Sequence, residues 1–185
     1  FAHGEDSIKV HRDEPLFDGQ FSNRCYRDAV KQAFTHFRDK AISQGRYDPE
    51  LDEVLTEQWA RIIMHLPYAF QAKRMLPDVF QHDRQHLSEW KAIEKIIGEK
   101  PLESDFETIQ EWEIKMDSYR RTISKTESFK QFIEDRIEKG QRASSLIGNQ
   151  YTGSIFLALM STFEADYEEN ANLDYQMMGL CGYGS

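Results

Sequence analysis

The run Gly148-Asn149-Gln150-Tyr151-Thr152-Gly153-Ser154 brings two side-chain amides and three hydroxyls to the threshold of a nearly all-apolar segment, Ile155 to Phe163. Gly148 and Asn149 permit a tight or strained backbone. The hydroxyls stand where the free N–H groups of a following helix favour negative charge. Active-site turns are often built this way, and a plain loop with an N-cap ahead of a core helix fits the same spacing.

His65 is the second chemical candidate. It closes the short, apolar, Ile-rich run Trp59 to Met64, which reads as a buried strand, and Pro67 suits the first turn of a helix. The histidine is therefore expected in a strand-to-helix junction, where open α/β sheets place ligand groups. A structural histidine with one ring nitrogen bonded to backbone also fits there. Adjacent Lys73 and Arg74 on that helix belong either to a solvated face or to a phosphate grip close to the junction. His82 and His86 have the i, i+4 spacing that can share a metal, but no third ligand accompanies them and no metal site is expected. Cys25 and Cys181 lie far apart, which indicates neither a disulfide framework nor a zinc cluster, and a reducing cytosol is the default. Cys25 reads as a small buried hydrophobe.

Several elements must position these groups. Tyr26, Ala29, Val30, Ala33, Phe34, Phe37 and Ala41 recur at helical spacing between Arg24 and Ser43, with Asp18-Gly19 as a turn and Ser22 as a cap. Pro77 should interrupt the helix that starts at Pro67. A stripe of Leu87, Trp90, Ile93 and Ile97 ends at Gly98. Ser104 and Glu107 form a capping-box pattern ahead of a long charged helix. Its stripe runs from Phe106 to Ile123, and a related one continues from Phe129 to Ile137. Residues 81–139 thus read as a helical insertion packed on the domain, closed by Gly140. Ile155 to Phe163, apolar on almost every side, should be buried centrally. An acidic loop, Asp166 to Asp174, then precedes an inner strand within Tyr175 to Tyr183. Together these elements predict α/β layers with helices on both sides of a sheet.

The composition suits one globular domain of 185 residues or half of a larger pseudo-symmetric one, with 39% hydrophobic and 30% charged residues and a mean hydropathy of -0.69. With 23 basic against 32 acidic side chains the formal charge is -9, which argues against nonspecific binding to nucleic acid or an anionic membrane. No apolar run approaches the ~20 residues that span a bilayer. The chain starts at Phe1 and stops just after an apolar strand, so a fragment truncated at both ends is expected.

Four separated pieces, in order, resemble one family, hydroxymethylglutaryl-CoA synthase, a condensing enzyme of the thiolase superfamily. Asp18-Gly19-Gln20-Phe21-Ser22 with Cys25-Tyr26 is similar to its DGKLS…CY segment, and Ile63-Met64-His65-Leu66-Pro67-Tyr68 to its FHxPF/Y segment. Gly148 to Ser154 resembles its GNxYTxS turn, and Gly182-Tyr183-Gly184-Ser185 the start of its SYGSG strand end. The match spans Pro15 to Ser185.

The resemblance implies the C-terminal half, residues 1–185, of a thiolase-like layered α/β fold. It also implies a Claisen-type condensation of acetyl-CoA with acetoacetyl-CoA to 3-hydroxy-3-methylglutaryl-CoA, the mevalonate-pathway reaction of isoprenoid biosynthesis. CoA thioesters are then the substrates, with no cofactor, in a cytoplasmic enzyme of typically dimeric kind. His65 would bind and polarise the acetoacetyl group, and Asn149 would supply an amide to the same site. Ser185 would stand near the thioester oxyanion, Ser22 would contact the CoA-side substrate, and Arg74, with Lys73 beside it, would meet CoA phosphates. The nucleophilic cysteine and general-base glutamate belong to an N-terminal half that this chain lacks, so the chain alone is expected to be inactive. Phe70 stands where many members carry a CoA-binding lysine, which keeps open the relatives that take acyl groups from a carrier protein during polyketide β-branching. A noncatalytic helical binding module using Trp90 to Ile137 is the reading from another class.

Overall fold

Ile62, Ile63 and Met64 are buried in a two-stranded parallel sheet in the computed structural model, which describes residues 19–182. Strand β1 (Trp59–Met64) pairs with β2 (Met177–Cys181), Ile62 opposite Gly179 and Met64 opposite Cys181. The register is irregular between Trp59 and Arg61. Such a bulge lets two residues that alternation would send to one face reach opposite sides. The Trp59 ring meets Phe34 and Phe37 of α1 (Gly19–Ser43) at 6.5 and 5.5 Å between centroids. The Arg61 guanidinium instead ion-pairs with Asp166 of α8 (Ser154–Glu168). Helices therefore lie on both sides of the sheet, as the pattern predicts. Gly179 is required by this packing, since a Cβ there would stand 2.7 Å from Trp59 Cε3.

The entry to β1 is pinned by a carboxylate. Asp83, at the end of α3 (Pro77–Arg84), is fully buried and accepts the Leu55 and Thr56 N–H groups at 3.0 and 2.9 Å and the Thr56 hydroxyl at 2.6 Å. Its neighbour Arg84 lies 4.3 Å from the Phe80 ring centroid and 5.1 Å from that of Phe132, so the cation is held by aromatic faces as well as by Glu57. Phe132 belongs to α6 (Glu127–Arg136), which follows α4 (Trp90–Ile97) and α5 (Ile109–Ile123). Trp90, Met116, Tyr119, Ile123, Phe129 and Ile133 join the same core cluster as the sheet residues. The predicted stripes of these helices are thus the faces that pack, except that Ile109 is exposed.

The structure moves several boundaries. Residues 67–70 form a bend and turn, and α2 (Gln71–Met75) starts four residues after Pro67, because the chain first has to swing off the strand end. Buried Gln71 ties that swing to α1 through Asn23 Oδ1 at 3.1 Å. Pro77 does interrupt the helix and opens α3. Ser22 lies inside α1 on an exposed face, so it is no cap. The capping pattern that operates before α5 is Thr108 with Glu111, whose N–H donates to Thr108 Oγ1 at 3.2 Å, while Ser104 sits in a separate 3-10 turn.

Gly140 is not a break after the helical region. It lies within α7 (Glu138–Ile147), where a Cβ would meet Thr162 Oγ1 at 3.1 Å and the Ala158 carbonyl at 3.4 Å. Glycine here permits close approach of α7 and α8. Asp166 belongs to α8 and not to an acidic loop. The face of α8 buried in this chain carries Ser154, Ala158, Ser161, Thr162 and Ala165, whereas Phe156, Met160, Phe163 and Tyr167 are exposed. The expectation of central burial fails within this chain because the small side chains suit close contact with α7. Similarly, β2 is not an inner strand among the described residues, where β1 alone flanks it and Met177 and Leu180 are exposed.

Candidate functional site

His65 directly follows β1 and is only 8% exposed. Its N–H donates to the Cys181 carbonyl at 2.9 Å, which extends the parallel pairing by one step, and its carbonyl accepts the Tyr26 hydroxyl from α1. The Tyr26 and His65 rings meet edge to face, 6.3 Å between centroids at 88°. Both backbone polar groups are thus occupied, and the imidazole position is set from two elements. Burial holds the His65 imidazole below its usual range, so the ring is neutral near pH 7. A neutral imidazole can donate or accept a hydrogen bond toward a carbonyl compound without adding a full charge.

Asn149 lies in the turn between α7 and α8 and is exposed. Gly148 at φ 85° ends α7, and Tyr151 at φ 49° takes a left-handed conformation uncommon for a residue with a side chain. Asn149 Oδ1 accepts the Tyr151 N–H at 2.7 Å and the Ser154 hydroxyl at 3.1 Å. The Ser154 hydroxyl in turn accepts the Gln150 N–H at 3.0 Å. An N–H donor requires the oxygen of the amide, so these contacts fix which way Asn149 points. Its Nδ2 makes no hydrogen bond among the described residues and remains available as a donor.

These two pieces share one end of the fold. Both strands end there, at His65 and Gly182, and a Cβ at Gly182 would stand 3.8 Å from Ile155 Cδ1 in the first turn of α8. Near its other end α8 reaches Arg61 through Asp166, so it runs antiparallel to β1. Its amino-terminal N–H groups therefore gather at the carboxyl ends of the strands, an arrangement suited to developing negative charge.

Around Asp166 the far end of α8 is locked. Arg61 and Lys139 contact its carboxylate, Nη2 at 2.5 Å and Nζ at 2.6 Å, and Lys139 also pairs with Glu169. Burial pushes the Asp166 carboxyl up, but the hydrogen bonds from Arg61 and Lys139 outweigh it and hold the group below the usual carboxylate range.

The remaining candidates are placed as follows. Lys73 and Arg74 sit on α2 beyond the His65 loop, with Lys73 Nζ 5.9 Å from the Phe70 ring centroid and the Arg74 guanidinium 5.6 Å from that of Tyr68. Neither forms an ion pair among the described residues. Ser22 is on α1, one turn before Tyr26, and exposed. Ser185 and Asp18 lie outside the described residues. Among the described residues no group of three metal-ligating side chains converges, and the His86 Nε2 is engaged with the Glu53 carbonyl at 2.8 Å. Cys181 is pushed up to about 11 by burial, which makes it a poor nucleophile. The sequence places Tyr26 in an apolar stripe and in a matching segment, but neither its bond to the His65 carbonyl nor the brace from Ser154 to Asn149 has a local signal.

The family model described as hydroxymethylglutaryl-coenzyme A synthase C terminal matches residues 9–185. The hydroxymethylglutaryl-CoA synthase of Haloferax volcanii is 27% identical over 180 residues, covering 97% of this chain and 38% of the relative. The Saccharomyces cerevisiae hydroxymethylglutaryl-CoA synthase is 26% identical over 185 residues, covering 92% of this chain and 33% of that protein. The cytoplasmic hydroxymethylglutaryl-CoA synthase of Mus musculus is 24% identical over 181 residues, with 92% and 32% covered. The chain thus spans about a third of the length of these curated relatives. A solved structure, MvaS in complex with 3-hydroxy-3-methylglutaryl coenzyme A, has a similar fold, with a TM-score of 0.55 at 24% identity over 85% of this chain and 31% of that one.

Proposed function

The chain belongs to the hydroxymethylglutaryl-CoA synthase C-terminal family, and we propose that it is the part of such an acyltransferase that receives acetoacetyl-CoA for condensation with an acetyl group. The observation that carries this reading is His65, buried and neutral at the carboxyl end of β1. Its position is fixed by Tyr26 and Cys181, and it shares that end of the fold with the Asn149 turn.

In the proposed reaction a cysteine in an N-terminal half carries the acetyl group, and a glutamate there removes a methyl proton. The enolate carbon attacks the ketone carbonyl of acetoacetyl-CoA, and water then hydrolyses the thioester to release 3-hydroxy-3-methylglutaryl-CoA. As the new carbon–carbon bond forms, the ketone oxygen becomes anionic. A neutral His65 N–H and the Asn149 Nδ2 are donors suited to that oxygen or to its neighbouring thioester carbonyl. Lys73 and Arg74 serve the CoA phosphates, Ser22 touches the CoA-side substrate, and Ser185 supports the thioester oxyanion.

The exposed apolar face of α8, Phe156, Met160, Phe163 and Tyr167, together with the edge of β2 that pairs with no strand among the described residues, supports a partner surface of protein-core character. We assign it to the N-terminal half of the same enzyme, within a homodimer. Residues 81–139 are assigned as a helical insertion outside the catalytic layers. The carrier-protein reading retains one specific support, an aromatic side chain, Phe70, beside the cation Lys73. The direct assay measures CoA release from acetyl-CoA plus acetoacetyl-CoA by this chain alone and with an N-terminal half added. Turnover only in the combined sample is expected; turnover by the chain alone overturns the assignment of nucleophile and base to another half.

A further inference from the structure

A cavity of about 260 Å³ opens between α4, α6 and the turn that leads into β1. It adjoins the start of that strand, whereas His65 follows its end. The volume lies below that of drug-sized clefts, so the space suits a small molecule. Leu87, Trp90, Ile93 and Phe132 supply its apolar surface. Trp90 is only 4% exposed, yet its Nε1 donates to no acceptor among the described residues and keeps accessible surface. A nearly buried indole N–H usually has a partner, and a cavity wall that leaves one open suits an incoming acceptor.

The charged groups of the lining are unevenly used. Arg84 is paired with Glu57 and held against the Phe80 and Phe132 rings. Arg136 has no carboxylate partner among the described residues. Its Nη1 donates to the Trp59 carbonyl at 2.8 Å, which leaves the rest of the guanidinium fork to accept a ligand oxygen. Glu89 is exposed and has no cation partner among the described residues, and the Asp135 carboxylate is met by a neutral amide, Gln131 Nε2, at 2.8 Å. A simple anion here would face Glu89 and Asp135, and a simple amine would face Arg84 and Arg136. A zwitterion answers both signs. We propose that this cavity is a binding site for a free aromatic α-amino acid. The ligand carboxylate accepts from Trp90 Nε1 and Arg136, its ammonium donates to Glu89 and Asp135, and its ring packs against Phe132, Leu87 and Ile93. This site stands apart from the condensation chemistry, since none of these residues belongs to the His65 end of the fold.

The test is calorimetric titration of the 185-residue chain with L-phenylalanine, beside phenethylamine, which lacks the carboxylate, and 3-phenylpropionate, which lacks the ammonium. L-phenylalanine is expected to bind, and each analogue about tenfold more weakly or worse, because each leaves one set of charged partners unmet. Trp90→Phe keeps an aromatic ring and removes the N–H, and should weaken L-phenylalanine about tenfold. Glu89→Gln changes an exposed side chain, and should weaken L-phenylalanine about threefold while leaving 3-phenylpropionate no weaker. If Trp90→Phe does not fold, Glu89→Gln and the two analogues decide the matter. Absence of L-phenylalanine binding, or binding that Glu89→Gln leaves unchanged, overturns the site. Either analogue binding as tightly as L-phenylalanine overturns the assignment of a zwitterion.

Discussion

The Tyr26 hydroxyl donates to the His65 carbonyl across 39 positions of sequence, so the first long helix holds the backbone of the residue that ends β1. The bond is buried, and losing the donor removes a buried hydrogen bond at the end of β1. Tyr26→Phe is expected to lower stability by about 1–3 kcal/mol, measured by urea denaturation. In the combined enzyme kcat should fall with it, because the residue that carries the imidazole loses its tie to α1. Unchanged stability and kcat would show that this bond positions nothing.

His65→Ala should reduce the condensation step by a factor of about 10²–10³, the usual cost of a donor to a developing oxyanion. Formation of the acetyl-enzyme should fall much less. Single-turnover measurements separate the two steps, and equal loss in both contradicts the role assigned here. The lowered imidazole value also sets a sign for pH. The unfolded chain binds the proton more readily, so this group's contribution to stability is present above the usual histidine value and declines as pH falls through it toward the lower folded value.

At Asn149 the two ends of one amide can be tested apart. Asn149→Asp keeps an oxygen for the Tyr151 N–H and the Ser154 hydroxyl, so stability should change by less than about 0.5 kcal/mol. It removes the Nδ2 donor and should depress kcat. Asn149→Ala loses the turn as well and should lower both Tm and kcat. Full activity in Asn149→Asp would exclude the amide as a substrate donor.

Asp166 is the stability counterpart to the site. Its carboxylate is buried between Arg61 and Lys139, and Asp166→Ala leaves both cations unpaired, a change that typically costs about 3–5 kcal/mol. Because the folded value is depressed, the carboxylate's contribution is present above the unfolded value near 4 and is lost as pH falls through the folded one. Wild type should therefore lose stability in that acid window faster than Asp166→Ala, as followed by Tm against pH.

Met160→Glu, on the exposed face of α8, should leave the Tm of the isolated chain within about 1 °C of wild type. In the presence of the N-terminal half it should abolish co-elution by size-exclusion chromatography. Normal assembly would assign that face to another partner.

Much of this organisation was legible in the sequence. The apolar run Trp59 to Met64 became β1 within its predicted bounds, because a short Ile-rich run can be satisfied in a sheet buried on both faces. The stripes through Met116, Tyr119 and Ile123, and through Phe129 and Ile133, became packed faces for the same periodic reason. The motif around Gly148 to Ser154 carried the turn, and the capping grammar before α5 was correct in kind but displaced by four residues. What escaped were contacts between distant positions. Nothing local marks Asp166 as the partner of Arg61, 105 residues earlier, so it looked like one acid in a charged loop.

By itself the sequence determined the residue types at each strand end and turn, the alternation of apolar runs with helical stripes, and the family. Only the tertiary structure decided which side of each element is used. Helical spacing shows that Ile155 to Phe163 is apolar on almost every side, but not that the small residues of α8 meet Gly140 of α7 while its large ones stay open. The reason is physical: hydrophobicity is non-directional, and close approach is settled by the shapes of the two surfaces that meet. The same holds for His65, whose character as a buried, neutral imidazole arises from α1 and β2 closing around the end of β1.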